Sequence, residues 1–412
     1  MAYQLTREQL RLDLFVAFVC AKKHKGNRPY VLYFERNLEE NLDALADELW
    51  NRTYHPEPST CFIVKRPKKR EVFAAQFRDR VVHHLYYNYT HQLYEQTFIR
   101  DTYSCIEGRG THDGQKRLAR HIRQESRGGQ RQVYIMKLDK RGYFMHINRT
   151  VLLRIALRTL NRMASHRVPK DGEIIGGTQW RDVIDIPFVC WLTQEIVLLD
   201  PRENCRIVGS IDDWSDLDHA KSLFYTLDGC GLPIGNLTSQ LLSNVYLNEF
   251  DQFMKTTLHC RHYGRYVDDS YVVSADREWL HSLVPSIRKF LKDELCLDLH
   301  MGKLHIVRAN HGVEFLGVFL KYGRGYISSA SLHRIKHRLV EIKNNSSLLP
   351  IDIERSVNSY LGILSHTASY NIRAQLFYEP FFLSLGSFNR NLTRFRLSEQ
   401  YRLTNIFKTT TL

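Results

Sequence analysis

The fold of this chain is decided by the stretch Gly264-Arg265-Tyr266-Val267-Asp268-Asp269-Ser270-Tyr271-Val272-Val273. Its pattern predicts a β-hairpin, with an apolar and aromatic segment, a tight turn and a β-branched return strand. The turn carries two adjacent carboxylates, which repel each other unless solvent or a cation neutralises them. From the hairpin alone two interpretations stay open: a solvated turn, in which Asp is common, or a site for Mg²⁺, which prefers oxygen ligands.

A third carboxylate upstream favours the metal interpretation. Residues 132–138 are a β-branched and apolar run that ends at Asp139 and is followed by the aromatic pair Tyr143 and Phe144. This pattern predicts a strand whose terminal aspartate lies beside the hairpin if the two strands are neighbours. Three carboxylates around two Mg²⁺ ions support in-line nucleotidyl transfer, in which one ion activates the attacking 3′-hydroxyl and the other holds the triphosphate.

Composition is consistent with a globular, nucleic-acid-binding protein. The chain has 412 residues, of which 43% are hydrophobic, enough for two or three subdomains around a sizeable core. Its 58 Lys and Arg against 44 Asp and Glu give a formal charge of +14, which favours a polyanionic partner. The scattered cysteines show no zinc-ligand spacing, so we expect reduced thiols in a cytoplasmic protein without a signal peptide or a membrane span.

The motifs, taken in order along the chain, resemble a reverse transcriptase. Asp139 stands in the first palm motif, and Tyr266-Val267-Asp268-Asp269 is similar to the YxDD box. Between them, residues 231–240 resemble the corresponding motif in reverse transcriptases of diversity-generating retroelements. The resemblance implies that Asp139, Asp268 and Asp269 are catalytic and bind two Mg²⁺ ions, with the backbone carbonyl of Lys140 as a further ligand.

The resemblance also implies an α+β fold, the right-hand polymerase of fingers, palm and thumb, with an antiparallel palm sheet and a helical thumb. Fingers and N-terminal helices would occupy residues 1–130, the palm 131–320 with an insert at about 161–227, and the helical thumb with a basic tail 321–412. Within the insert, residues 219–227 have a helical pattern. The acidic run at 211–216 has irregular spacing, which favours an exposed loop over a metal site.

Several residues are implied to bind the incoming nucleotide. Lys69 and Arg70, at the tip of a predicted hairpin, would close over the triphosphate; a solvated basic turn is the alternative. Phe144 would be the steric gate that excludes a 2′-hydroxyl, unless it only caps the core. Lys303 resembles the lysine that meets the pyrophosphate, and a plain surface lysine is the alternative.

Fidelity is expected to depend on Ile234. Many reverse transcriptases carry glutamine between this motif's proline and second glycine, where its amide touches the nascent base pair. An aliphatic side chain removes that contact, and a lost hydrogen bond changes discrimination by about 1 kcal/mol or more. The resemblance therefore implies errors at template adenines, with Gly235 and Gln240 as further nucleotide-binding positions.

Primer and template contacts are expected from two other turns. Phe315, Leu316 and Gly317 resemble the primer grip, in which glycine allows close approach to the strand. Arg109, in a template-facing loop, and Tyr266 complete the set.

The implied function is RNA-directed DNA synthesis in a diversity-generating retroelement of bacterial or phage origin. Its partners would be a template RNA and RNA/DNA hybrid, a primer 3′ end, deoxynucleoside triphosphates and a small basic accessory variability protein. Two alternatives stay open. One is a retron-like or antiphage reverse transcriptase, and the other is a non-catalytic RNA-binding or splicing factor with the same fold.

Overall fold

The computed structural model describes residues 2–65, 68–170, 173–322, 324–345 and 347–401. Part of the predicted basic tail, beyond residue 401, and two residues of the predicted fingers turn, Arg66 and Pro67, lie outside these ranges. In the described part of the chain, no helix has the length and apolarity needed to cross a bilayer. The chain has the α+β architecture of a right-hand polymerase, as predicted.

Helices make up most of the regular structure. They are α1 (Arg7–Lys22), α2 (Pro29–Arg36), α3 (Leu38–Trp50), α4 (Phe77–Glu95), α5 (Thr111–Glu125), α6 (Tyr143–His146), α7 (Arg149–Met163), α8 (Ile186–Leu198), α9 (Leu237–Gln252), α10 (Arg277–Leu295), α11 (Ser329–Asn344), α12 (Pro350–Ser365), α13 (Tyr370–Phe377) and α14 (Pro380–Leu385). Several begin at a capping side chain, because Thr6, Asn148 and Asp276 each accept a hydrogen bond from the backbone N–H three residues on.

The strands form small sheets. They are β1 (Ser59–Val64), β2 (Arg70–Ala74), β3 (Tyr134–Leu138), β4 (Arg167–Lys170), β5 (Glu173–Gln179), β6 (Cys205–Ile207), β7 (His262–Tyr266), β8 (Asp269–Ser274), β9 (His305–Arg308), β10 (Val313–Phe315), β11 (Val318–Lys321), β12 (Arg324–Ile327), β13 (Gly386–Phe388) and β14 (Phe395–Leu397).

The palm sheet brings the predicted catalytic segments together. Its strand order is β7-β8-β3-β9, with all neighbours antiparallel. Leu138, the last residue of β3, lies opposite Ser270 of β8. The two strands are therefore neighbours, which was the condition for Asp139 to lie beside the hairpin. As a result, Asp139 follows β3 at the same end of the sheet as the β7–β8 turn that carries Asp268.

The palm sheet is buried on both faces, and its side chains alternate between two cores. Met136, Leu138 and Val272 belong to the main core, which includes α9. Ile135 and Tyr271 point to the opposite side, where α5 packs. Because both faces are covered, packing holds in place the strand ends that carry the carboxylates.

The fingers hairpin contains a strand that the sequence did not predict. β1 and β2 pair antiparallel, and β6, from the palm insert, adds to β1 in parallel, with Ser59 opposite Cys205. The helix predicted at residues 219–227 is wrong: the segment forms two short 3-10 turns, His219–Lys221 and Leu223–Tyr225. The side chains of Asp218 and Ser222 cap the N-terminal ends of these turns, where they accept hydrogen bonds from the N–H groups of Ala220 and Phe224.

The thumb has its own core. Helices α11 to α14 and the β13–β14 hairpin surround apolar side chains such as Leu339, Val357 and Phe377. This agrees with the predicted helical thumb, with the small hairpin as an addition.

Candidate polymerase active site

A cavity of about 630 Å³ lies between the fingers hairpin, the palm and the insert. Its walls contain most of the residues that the sequence predicted to bind the nucleotide or the metal ions. These are Lys69, Arg70, Asp139, Lys140, Phe144, Ile234, Asp268 and Lys303. They come from segments up to 234 positions apart in sequence, so only folding brings them together.

The three aspartates interact electrostatically, and two of them, Asp139 and Asp268, line this cavity. Burial raises the pKa of Asp268, and the nearby charge of Asp139 raises it further. Burial also raises the pKa of Asp269, although Lys137 Nζ lies 3.6 Å from its Oδ1 and opposes the shift. The raised values mean that the ionised carboxylates disfavour one another, a cost that a bound cation would remove.

The donor set fits a hard divalent cation. Carboxylate oxygens in mutual repulsion are the ligands that Mg²⁺ prefers. In the ranges that the structure describes, however, no three acidic, His or Cys side chains converge as a preformed metal centre. Asp139 Oδ2 instead accepts a hydrogen bond from Lys303 Nζ at 2.5 Å. In this structure the ammonium of Lys303 neutralises Asp139. It would have to move away before Asp139 could bind a metal ion.

The side chain of Lys140 stabilises the β7–β8 turn. The sequence selected only its backbone carbonyl, but its side chain is buried and its Nζ donates to the Asp268 carbonyl at 3.0 Å and to Ser270 Oγ at 2.8 Å. The ammonium also lies 4.7 Å from the centre of the Phe250 ring. Burial lowers the pKa of Lys140 to about 8. This side chain ties the β3 end to the hairpin turn.

A buried ion pair that sequence reasoning missed supports the same turn. Arg265 is fully buried, and its Nε and Nη2 donate to Asp251 of α9 at 2.8 and 2.7 Å. Its Nη1 donates to the Val267 carbonyl at 3.0 Å. Val267 has a φ of 53°, which is unfavourable for a β-branched residue and needs such support. The signal available in the sequence was a charged residue within an otherwise apolar strand.

Ile234 and Gly235 lie against the fingers strand β2. The Ile234 carbonyl accepts a hydrogen bond from the Phe73 N–H at 2.9 Å. Gly235 has a φ of 129°, and a Cβ there would lie 2.9 Å from Val72 Cγ1 and 3.0 Å from the Phe73 carbonyl oxygen. The close approach that requires glycine is therefore to the fingers backbone. Ile234 lines the cavity wall.

Phe144 is half-buried at the cavity wall, on the short helix α6. Its ring meets Tyr143 edge-on, with the centroids 5.4 Å apart. Tyr143 is itself anchored, because its hydroxyl donates to the Ser243 carbonyl at 2.6 Å. Phe144, the candidate steric gate, therefore packs against a tyrosine that is held in place by a hydrogen bond.

The remaining predicted contacts lie outside this cavity. Arg109 Nη1 donates to the carbonyls of Ile99 and Thr102 in its own loop, at 3.1 and 3.2 Å. The guanidinium of Arg109 therefore stabilises this loop. Gln240 Oε1 accepts a hydrogen bond from the Cys105 thiol.

The predicted primer grip is a turn beside α5. Phe315 is fully buried and meets Tyr271 edge-on at 5.2 Å, so its ring is a core element. Leu316 and Gly317 both have positive φ, and the Leu316 carbonyl accepts a hydrogen bond from Gln115 Nε2 at 2.9 Å. Tyr266, also predicted to contact the primer, is half-buried at the end of β7.

Residues 207–320 match the family model described as "Reverse transcriptase (RNA-dependent DNA polymerase)". The chain contains a reverse transcriptase domain. The matched segment runs from the end of β6 through the β7–β8 hairpin and Lys303 to β11, and Asp139 lies upstream of it. The match covers 114 of the 412 residues, and the model's description is that of an RNA-dependent DNA polymerase.

The solved structures that match this chain include three of telomerase from Candida species. Telomerase from Candida albicans, in complex with a fragment of telomeric RNA, is 11% identical with a TM-score of 0.45, covering 78% of this chain and 55% of that one. Apo telomerase from Candida tropicalis is 10% identical with a TM-score of 0.44, covering 78% and 60%; its C-terminally truncated form is 10% identical with a TM-score of 0.44, covering 66% and 56%. The chain thus spans 55–60% of these relatives' lengths. No curated protein sequence matches it significantly.

Proposed function

We propose that this reverse transcriptase copies a template RNA into cDNA in a diversity-generating retroelement, with errors concentrated at template adenines. The observation that carries the polymerase assignment is the cavity, in which Asp139 and Asp268 face Arg70 of the fingers. The retroelement assignment rests on the resemblance of residues 231–240 and on Ile234 in place of glutamine.

In this proposal the aspartates hold the metals. Asp139, Asp268 and Asp269 would bind two Mg²⁺ ions, and Lys140 would keep the Asp268 backbone in place from below. When bound, the ions activate the primer 3′-hydroxyl and neutralise the triphosphate.

The cations on the other side act on the triphosphate. Lys69 and Arg70 would bind its oxygens, Arg70 in a bidentate manner. The Lys303 ammonium would be displaced from Asp139 when that carboxylate binds a metal ion. The released ammonium would then neutralise the departing pyrophosphate and donate a proton to it. Phe144 would exclude ribonucleotides at the sugar.

The partners in this proposal are the template RNA and RNA/DNA hybrid, the primer end and the deoxynucleotides, with the thumb and the Leu316–Gly317 turn along the hybrid. A small basic accessory protein would help to hold the RNA. The enzyme would work in the cytoplasm of a bacterium, encoded by the host or a phage.

Primer extension on a defined RNA template tests the proposal directly. The reaction contains Mg²⁺, all four deoxynucleotides and, in a parallel series, the accessory protein from the same locus, with Asp268→Asn as the blank. Sequenced products with errors concentrated opposite adenine support the assignment. Faithful but Asp268-dependent synthesis would move the chain to the retron-like or antiphage class. RNA binding without synthesis in either series would favour the RNA-binding factor.

A further inference from the structure

The acidic run of the insert is part of the nucleotide cavity. Sequence analysis predicted an exposed loop, and its side chains are indeed largely exposed. Residues 211–221, here called the acidic arm, nevertheless supply one wall of the cavity, opposite the catalytic aspartates. The arm residues at the wall are Asp216, Leu217, Asp218, Ala220 and Lys221.

A buried carboxylate anchors the arm to the fingers. Glu71, in β2, is almost completely buried and accepts hydrogen bonds from Trp214 Nε1 at 2.8 Å, Ser222 Oγ at 2.7 Å and the Leu223 N–H at 2.7 Å. Leu223 also packs into a small apolar cluster with Phe73 of the fingers. Both ends of the arm are thus fixed to the strand that begins with Arg70.

The arm also touches the helix that carries the gate. The Ala220 carbonyl oxygen lies 3.1 Å from the position that a Cβ on Gly142 would take. Gly142 immediately precedes α6, on which Phe144 lies. The fingers, the arm and the gate helix therefore form one continuous surface around the cavity.

Two arm carboxylates pair with fingers lysines. Asp213 Oδ1 lies 2.7 Å from Lys65 Nζ, and Asp216 Oδ2 lies 3.8 Å from Lys69 Nζ. The Asp216 side chain is 90% exposed, so this pair is weak and readily exchanged. Lys69 is also one of the cations assigned above to the triphosphate.

We propose that Asp216 lowers the affinity of this site for triphosphates, an inference that rests on the proposed function. Asp216 acts as the counterion of Lys69 while the cavity holds no nucleotide, and an incoming triphosphate displaces it. A ligand with fewer negative charges, such as a nucleoside diphosphate or an RNA phosphate, is repelled less by the same carboxylate. The arm thereby weakens binding of all phosphates and weakens that of triphosphates most.

Calorimetric titration of the full-length protein, with Mg²⁺ and a deoxynucleoside triphosphate that has a non-hydrolysable α,β-linkage, tests this. In Asp216→Asn we expect affinity for the triphosphate to rise about two- to fivefold. Affinity for the matching diphosphate should rise by a smaller factor. The control Asp228→Asn makes the same charge change at an exposed carboxylate that does not line the cavity and that pairs with Arg202.

Unchanged or weaker binding in the arm variant, or an equal gain in the control, overturns the proposal. Because the Asp216 side chain is 90% exposed, we expect Asp216→Asn to keep the fold, and urea unfolding checks this. The measurement requires no synthesis. Wild-type protein that binds no triphosphate overturns both this inference and the proposed function, whereas normal synthesis with unaltered variant affinities overturns this one alone.

Discussion

The guanidinium of Arg265 donates from Nη1 to the carbonyl oxygen of Val267 at 3.0 Å, and so supports the backbone of the turn that carries Asp268. The same side chain is paired through Nε and Nη2 with Asp251 of the central helix α9. The β7–β8 turn is thus connected to α9 by one charged side chain.

Arg265→Met should destabilise the protein strongly, because it leaves Asp251 buried without its counterion. We expect the free energy of unfolding to fall by about 3–5 kcal/mol. Arg265→Lys keeps the charge but cannot form the paired hydrogen bonds of the guanidinium. Its free energy of unfolding should therefore lie between those of wild type and Arg265→Met. Urea unfolding measures both, with the exposed Arg261→Met as control. An R265M protein as stable as wild type would show that the pair carries no net stability.

Asp268→Asn should separate metal binding from folding. The raised pKa of Asp268 indicates that the ionised carboxylate is unfavourable in the metal-free protein, so the variant should be at least as stable as wild type without metal. Added Mg²⁺ should raise the Tm of wild type and leave that of the variant nearly unchanged. Thermal unfolding with Mg²⁺ or with NaCl of equal ionic strength distinguishes binding from screening. Equal shifts in both proteins would contradict a metal site here.

Ile234→Gln should increase fidelity. A glutamine amide at this cavity wall can hydrogen-bond the nascent base pair, and about 1 kcal/mol of added discrimination lowers the error frequency about fivefold. The measurement is the sequence of cDNA copied from an adenine-containing RNA. Ile234→Val, which adds no polar group, is the matched control. Errors unchanged in the glutamine variant would remove Ile234 from the determinants of fidelity.

Phe144→Ala should relax sugar selection, because the ring lies at the cavity wall on the fixed Tyr143. We expect the ratio of ribonucleotide to deoxynucleotide incorporation to rise about tenfold or more, equivalent to about 1.4 kcal/mol of lost discrimination. Single-nucleotide extension with each substrate gives the ratio. Phe144→Tyr keeps the ring and should behave as wild type; an alanine variant that still rejects ribonucleotides would assign the selection elsewhere.

The protein should lose stability in mild acid, and His83 should contribute. This residue is buried, its Nδ1 lies 2.8 Å from Thr238 Oγ1, and burial lowers its pKa to about 4. The unfolded chain, with a His pKa near 6.5, binds a proton that the folded protein does not. The stabilising contribution is therefore complete above about pH 6.5 and is lost as pH falls towards 4, by about 3 kcal/mol at most.

Urea unfolding between pH 4 and 7 measures this loss. His83→Asn should show a shallower decline in the free energy of unfolding than wild type, while the exposed His305→Asn should decline as wild type does. Identical slopes in all three proteins would mean that His83 titrates normally in the folded state.

Much of the site was predictable because its chemistry requires particular residue types in a fixed order. Asp139, Asp268 and Asp269, with the β-branched runs around them, predicted a strand and a hairpin, and the register of Leu138 opposite Ser270 shows that the two are neighbours. The failures lay in the insert. Residues 219–227 have helical periodicity, but local capping and the hydrogen bonds to Glu71 hold them in short turns instead.

By itself, then, the sequence determined the polymerase fold and most residues of the cavity wall, since periodicity and turn chemistry are local properties. Tertiary structure alone decided which buried charges support the catalytic turn and where the acidic arm lies. Arg265 with Asp251, and Glu71 with Trp214, are partners separated by 14 and 143 positions. No local pattern specifies such pairs, because a buried charge finds its partner only when distant segments pack and exclude water.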